Sequence, residues 1–221
     1  MNLLAFDTST ERASIAVSNA TTVFSEEILG VRSHAEQILV IIDKLMRQVQ
    51  LEWRQLDGIV FGQGPGSFTG LRVACSVAKG LAFAHDLPVY PVGSLAAIAH
   101  KAESLSSSMK ADLSAKNILT YLVMIDARMQ QVYWSYAKSA PQVDTVQDIV
   151  IPGVEPIGLI GCGWQLYRDQ LSPSIQARIQ TVHEIYPDAI AMIQMVKQGI
   201  VTAVSAQAAS PLYIRDQVTH Q

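Results

Sequence analysis

The sequence predicts an α/β fold built from two related lobes. Three observations carry that expectation. The chain opens with three short apolar runs separated by polar turns. A later apolar run ends in glycines and leads into a helix. The second half then repeats the scheme of strand, turn, strand and, further on, a strand ending in glycines. The repeat is one of pattern only, with no residue-level match.

Taken in order, Leu3 to Phe6 reads as a buried strand and Thr8 to Arg12 as a polar turn. Ala13 to Val17 and Val23 to Leu29 follow as strands two and three, a meander joined by short turns. A helix is expected from Ser33, with Ser33 as N-cap and Glu36 as its capping-box partner. Ile38, Ile41, Ile42, Leu45 and Val49 fall at helical spacing, and Leu39 and Met46 widen that stripe. Asp57 to Phe61 reads as a strand ended by the loop Gly62 to Gly70, then Thr69 to Ala84 as a helix. Pro88 to Val92 is a strand, and Ser94 to Ala102 a helix N-capped by Ser94.

Glu103 to Lys116 is polar and serine-rich, either a domain boundary or a surface loop. The boundary reading gives an N-terminal lobe over 1–103 and a smaller C-terminal lobe over 104–221, the last helix packing back on the first lobe. Beyond it, Ile118 to Asp126, Gln131 to Tyr136 and Ile157 to Ile160 read as strands. Trp164 to Leu171 and Asp188 to Gln198 read as helices, the second closed by Gly199. Leu212-Tyr213-Ile214 is a late apolar segment.

Composition bounds the function. The 221 residues are 49% hydrophobic and 16% charged, which favours a packed globule and leaves room for a partner-covered surface. The net charge is −3 with no run of Lys or Arg, so the footprint of a strong nucleic-acid binder is missing. Any RNA is expected to be held by another subunit. Cys75 and Cys162 read as reduced, buried thiols. The N-terminus lacks the basic start of a signal peptide, and no uncharged apolar stretch reaches about 18 residues, so no membrane span is expected and the cytoplasm follows by default.

Several motifs could carry chemistry. The glycine loop before a helix fits an anion cradle, or equally a tight loop requiring φ > 0 and close backbone approach. Leu71 and Arg72 stand where a phosphate loop places its lysine. The following helix is apolar nearly all round, with Arg72, Ser76 and Lys79 as a narrow polar stripe. Its second apolar side is covered either by this chain or by another protein, and Ala74, Ala78, Gly80 and Ala82 would permit a close helix–helix approach. Asp7 ends the first strand as a turn carboxylate or an outer-sphere Mg²⁺ ligand, and Asp126-Ala127-Arg128 repeats the turn in the second half. No two histidines lie three to five residues apart, so no metal site is expected. Gly64-Pro65-Gly66-Ser67 is not a nucleophile elbow.

Six segments, in order, resemble the TsaB (YeaZ) family of bacterial tRNA threonylcarbamoyladenosine biosynthesis proteins. They are Leu4 to Thr10, Ser33 to Leu39, Gly62 to Arg72, Ala78 to Ala82, Ile125 to Arg128 and Pro211 to Asp216. The run Gly64-Pro65-Gly66-Ser67-Phe68-Thr69-Gly70-Leu71-Arg72 is the specific one. The resemblance implies an actin/Hsp70/sugar-kinase-like (ASKHA) fold, two related α/β lobes with mixed sheets flanked by helices. It also implies a non-catalytic partner subunit that pairs with the catalytic paralogue TsaD and is joined by the ATPase TsaE. That complex transfers a threonylcarbamoyl group to the N6 amine of the adenosine following the anticodon in tRNAs reading ANN codons. The paralogue's metal is held by paired histidines on a helix, and here only His34 lies in the comparable helix. Met129-Gln130-Gln131 departs from the family's basic-Gly-Glu.

The expected partner surface is the helix pair Ser33–Gln48 and Thr69–Ala84, with His34, Leu39, Met46, Arg72, Ser76, Lys79 and Phe83 contacting TsaD, or a second copy in a homodimer. ATP or ADP at such an interface would meet Asp7, Thr8, Gly64, Gly66 and Ser67. No catalytic residue, metal or cofactor of its own is expected, and tRNA is contacted through the complex. The alternative is a stand-alone metal-dependent peptidase or phosphotransferase of the same fold.

Overall fold

β1 (Leu3–Asp7) is apolar on both faces because both faces are covered. A computed structural model of the chain describes residues 1–104 and 120–215. The serine-rich stretch from Leu105 on, the strand start expected at Ile118 and Asp216 lie outside the described residues.

In the first sheet the order is β3 (Val23–Leu29), β2 (Arg12–Ser18), β1, β4 (Gly58–Gly64) and β5 (Val89–Gly93). The first three are antiparallel, as the meander predicts, and β4 and β5 run parallel to β1. Leu4, Phe6, Ile15 and Val17 face α1 (Val31–Val49) and α2 (Phe68–His85). Leu3, Ala5 and Ala16 face the opposite way, against α5 (Ala189–Lys197). This two-residue alternation on a doubly buried strand explains why β1 reads as a continuous apolar run. Burying a side chain such as Phe6 contributes about 1.5–3 kcal/mol.

The second sheet repeats the scheme. β8 (Gln142–Thr145), β7 (Gln131–Tyr136) and β6 (Tyr121–Asp126) are antiparallel, and β9 (Ile157–Cys162) and β10 (Ile179–Glu184) run parallel to β6. Read as 8-7-6-9-10, its order matches 3-2-1-4-5, so the duplication is one of topology. Its core joins Leu122, Met124, Trp134, Leu159, Tyr167 and Ile175, the last on the short helix α4 (Pro173–Gln176).

The chain divides into one unit of Met1–Ala97 with Pro187–Leu212 and another of Ile98–Tyr186 with Tyr213–Gln221. The first division falls inside α3 (Ser94–Ser104), not at 103/104, because Ala97 packs into the first unit's core beside Val60 and Val92. The first unit is also discontinuous, since α5 lies on β1. The Asp188 carboxylate caps α5 by accepting from the Ala191 N–H, and the buried Ser14 hydroxyl accepts from the Ala189 N–H.

Other details differ from expectation. α1 begins at Val31 after Gly30 (φ 90°), with no side-chain cap, because the Gly30 N–H is already fixed to the Glu11 carbonyl at 2.9 Å. Ser33 therefore lies within the first turn. Ser94 is the first residue of α3, and its hydroxyl donates to Asp7. The helix expected over Trp164–Leu171 is two single turns, Trp164–Leu166 and Arg168–Gln170, interrupted at Tyr167 (φ −125°), whose hydroxyl reaches Asp126. β8 and β10, polar edge strands, were not foreseen.

The β6–β7 turn holds three successive non-glycine residues in left-handed backbone: Arg128 (φ 62°), Met129 (φ 52°) and Gln130 (φ 61°). Each L-residue there costs roughly 1 kcal/mol or more. Arg215 braces the turn, donating to the Ala127 carbonyl (3.1 Å) and Gln131 Oε1 (2.5 Å). Gln130→Gly is therefore expected to stabilise the protein by about 0.5–1 kcal/mol, read as a higher urea midpoint at unchanged slope.

Candidate functional site

The end of β1 and the loop after β4 meet backbone to backbone. The Ser67 N–H donates to the Ser9 carbonyl at 2.7 Å, and the Thr8 hydroxyl donates to the Gly70 carbonyl at 2.6 Å. A Cβ on Gly70 would sit under 3.0 Å from the Thr8 carbonyl oxygen, and one on Gly62 would overlap the Asp7 carboxylate. Gly66 lies as tightly on Ser9. The glycines are used for close approach, and Gly64 (φ 112°) for the turn as well. Ser67 N-caps α2, its Oγ accepting from the Gly70 N–H at 3.4 Å.

Asp7 is buried within this closure. Its Oδ1 accepts from the Ser9 N–H (2.7 Å) and its Oδ2 from the Ser94 hydroxyl (2.9 Å). Burial pushes its carboxyl above the usual carboxylate range, while the hydrogen bonds from Ser9 and Ser94 and the charge of His34 pull against that. The nucleotide contact expected at Asp7, Thr8, Gly64, Gly66 and Ser67 thus meets a filled site. Asp7, Thr8, Gly64 and Gly66 are buried, and the loop amide of Ser67 is spent on Ser9. The residues present do not fit a phosphate there.

Asp126 repeats the Asp7 turn in the second unit. Its Oδ1 accepts from the Arg128 N–H (2.7 Å), as Asp7 does from Ser9, and also from the Tyr167 hydroxyl (2.8 Å). Its Oδ2 pairs with Arg128 Nη1 at 3.1 Å. The local Asp–Arg reading of this turn holds.

Two of the seven expected partner residues are interior. His34 and Met46 share the inward stripe of α1 with Ile38, Ile42, Leu45 and Val49, and Met46 is part of the core that includes Ala74 and Ala78. Helical spacing from Ile38 and Ile42 was the signal that places both inside. Burial pulls the His34 imidazole below its ordinary value, against the carbonyls of Glu11 and Ile28 and the carboxylates of Asp7 and Glu11. Neither ring nitrogen closes a hydrogen bond. Its i+4 neighbour Ile38 is buried apolar core, so a helix-borne histidine pair for a metal does not fit here. Among the described residues no group of three or more His, Cys, Asp or Glu side chains is placed to hold a metal ion.

The remaining five lie at or near the surface. Leu39 is 54% exposed and Phe83 79%, and Arg72 and Ser76 are exposed. Lys79 is half-buried, and its Nζ donates to the carbonyls of Gln207 (3.3 Å) and Ala209 (3.1 Å). Two surface residues were missed, Val40, 68% exposed, and Phe68, with the Arg72 guanidinium 3.8 Å above its ring, while Gly80, expected to permit close approach, opens on empty space. Val40 falls outside the stripe of Ile38, Ile42, Leu45 and Val49, which was a readable sign. Of the four small residues expected to permit close helix–helix approach, Gly80 alone is exposed; Ala74, Ala78 and Ala82 are buried.

The duplicated sheet order, β3-β2-β1-β4-β5 and β8-β7-β6-β9-β10, marks a chain of two units of the actin/Hsp70/sugar-kinase-like class. Residues 22–217 match the family described as TsaD: tRNA N6-adenosine threonylcarbamoyltransferase. The Haemophilus influenzae tRNA threonylcarbamoyladenosine biosynthesis protein TsaB is 30% identical over 99% of this chain and 95% of its own length. The Escherichia coli TsaB is 29% identical, over 99% and 96%. The solved YeaZ of Pseudomonas aeruginosa superposes with a TM-score of 0.80 at 28% identity, covering 96% of this chain and 99% of that one. Within that class, the chain belongs to the TsaB (YeaZ) family.

Two tests address the closure. Gly70→Ala is expected to cost at least about 1–3 kcal/mol by overpacking, whereas Gly80→Ala, mid-helix in open space, should gain about 0.5–1 kcal/mol, both read by urea denaturation. Asp7→Asn keeps an acceptor for Ser9 and removes the buried charge. Because the folded carboxyl titrates above its unfolded value of about 3.9, wild type loses stability as pH rises through the folded value. The variant's advantage should therefore grow as pH is raised above about 4; a constant gap would contradict the assignment.

Proposed function

We propose that this chain works in tRNA threonylcarbamoyladenosine biosynthesis as a non-catalytic partner of a TsaD-like subunit, joined by a TsaE-like ATPase, in the cytoplasm. The observation that carries the reading is the outward face of α1 and α2. Leu39 and Val40 on α1, and Phe68 and Phe83 on α2, are large apolar side chains left in solvent, and Gly80 opens a notch one helical turn from Phe83. Anchor residues beside a notch, with Arg72 and Ser76 among them, suit a protein partner's helices. The family adds the chemical context: its curated members carry the name of this pathway.

Metal and nucleotide chemistry are assigned to the partners. In this chain the histidine of α1 is spent in the core and the glycine loop is closed on Asp7–Ser9. The same face would pair two copies when the catalytic partner is missing, and tRNA is reached through the complex. No helix among the described residues is long and apolar enough to cross a membrane.

Phe83→Glu is expected to keep the wild-type melting temperature and Gly80→Glu to match or exceed it, and both to lose at least about tenfold in affinity for the TsaD-like subunit. Unchanged binding in both variants would remove the α2 face from the interface. For the pathway itself, depletion of this protein should abolish threonylcarbamoyladenosine in cellular tRNA, read by nucleoside mass spectrometry. Persistence of the nucleoside at its normal level would reject the reading.

A further inference from the structure

The second apolar side of α2 is covered in part by the chain's own segment Val204–Leu212. The segment is seated at three points. Val204 and Val89 exchange two backbone hydrogen bonds, 3.0 and 2.8 Å, which tie it to β5. Ala209 is buried, its carbonyl taking Lys79 Nζ at 3.1 Å and, more weakly, the Cys75 thiol at 3.8 Å. Lys79 also reaches the Gln207 carbonyl. At its far end the Leu212 N–H donates to the Gln63 carbonyl at 2.7 Å, and the Leu212 carbonyl lies against Gly64.

We infer that Lys79 and the segment Val204–Leu212 form a latch that holds the glycine loop, and with it the start of α2, in the closed position. The physical case rests on where the bonds fall. Gln63 and Gly64, at the end of β4 where the loop begins, are held by Leu212, and the far side of the loop is held by the contact of Ser67 with Ser9. Lys79 supplies a charged donor to two carbonyls of an irregular segment, and bonds from charged donors are the stronger ones. Removing it leaves those carbonyls without their charged partner and frees the middle of the strap. A loosened strap relaxes the Leu212 bond, and the loop residues up to the α2 cap Ser67 follow. Lys79 is thus a positioning residue for the Phe68–Arg72 end of the exposed α2 face and not itself a partner contact.

The test is amide hydrogen exchange on the full chain carrying Lys79→Met, which keeps an unbranched stem without the donors, with Lys79→Arg as the conservative variant. The latch predicts exchange about tenfold faster at Leu212 and also at Ser67, with Leu51 at the end of α1 unchanged and Lys79→Arg close to wild type. If only residues 205–210 accelerate, Lys79 is a local clamp and the latch is refuted. Equal acceleration at Leu51 would mean general destabilisation and refutes it too. A second reading is the affinity for the TsaD-like subunit, which the latch expects to fall in Lys79→Met and recover in Lys79→Arg. This arm alone rests on the proposed partnership. Should wild type fail to bind, the partnership falls while the exchange result still decides the latch.

Discussion

The first unit depends on one approach of backbone to backbone, where the Thr8–Ser9 turn lies against the loop Gly62–Gly70. Everything nearby is set by it. Asp7 is buried because Gly62 lets its carboxylate lie flat on β4, and α2 starts at Phe68 because Ser67 is held by Ser9 and caps the helix. A Cβ at Gly62 would push β4 off β1, and one at Gly70 would push α2 off the Thr8 turn, both at the carboxyl ends of the strands, where open α/β sheets ordinarily bind ligands. Here that end is closed by the chain itself. A loop of the same composition can therefore cradle an anion or exclude one, according to whether its amides point into space or are already spent.

Much of this was legible in the sequence. Doubly covered β1 showed itself as a continuous apolar run, and the meander and the strand-to-glycine-to-helix step followed from turn residues and periodicity. The duplicated scheme was visible as pattern, and its exact sheet order was not. Polar β8 and β10 escaped because an edge strand is half solvated and need not carry an apolar run. The α1 start was misplaced since Gly30 is fixed by a bond to Glu11 that no local rule contains. For the site, exposure was the weak point. His34 looked like a surface residue from its chemistry, while its spacing from Ile38 and Ile42 already placed it inside. Lys79 read as a partner contact because its acceptors, Gln207 and Ala209, are far along the chain.

α2 separates its faces by residue type. Ala74, Ala78 and Ala82 let it lie close on the sheet and α1, Cys75 and Lys79 meet the strap, and Phe68, Arg72, Ser76, Gly80 and Phe83 are left outward. A helix apolar nearly all round is thus accounted for without calling on a partner for its whole second side. What remains open is a narrow face, of the kind a subunit interface uses.

The discontinuity of the first unit has a consequence for synthesis. β1 and β2 leave the ribosome first, yet the helix that covers Leu3, Ala5 and Ala16 comes after the whole of Ile98–Tyr186. At roughly 5–20 residues per second the nascent sheet waits on the order of 5–20 s with one apolar face bare. That interval, more than the finished fold, is when the protein is open to chaperones and to aggregation, and a message truncated before Ala189 would leave the face uncovered for good.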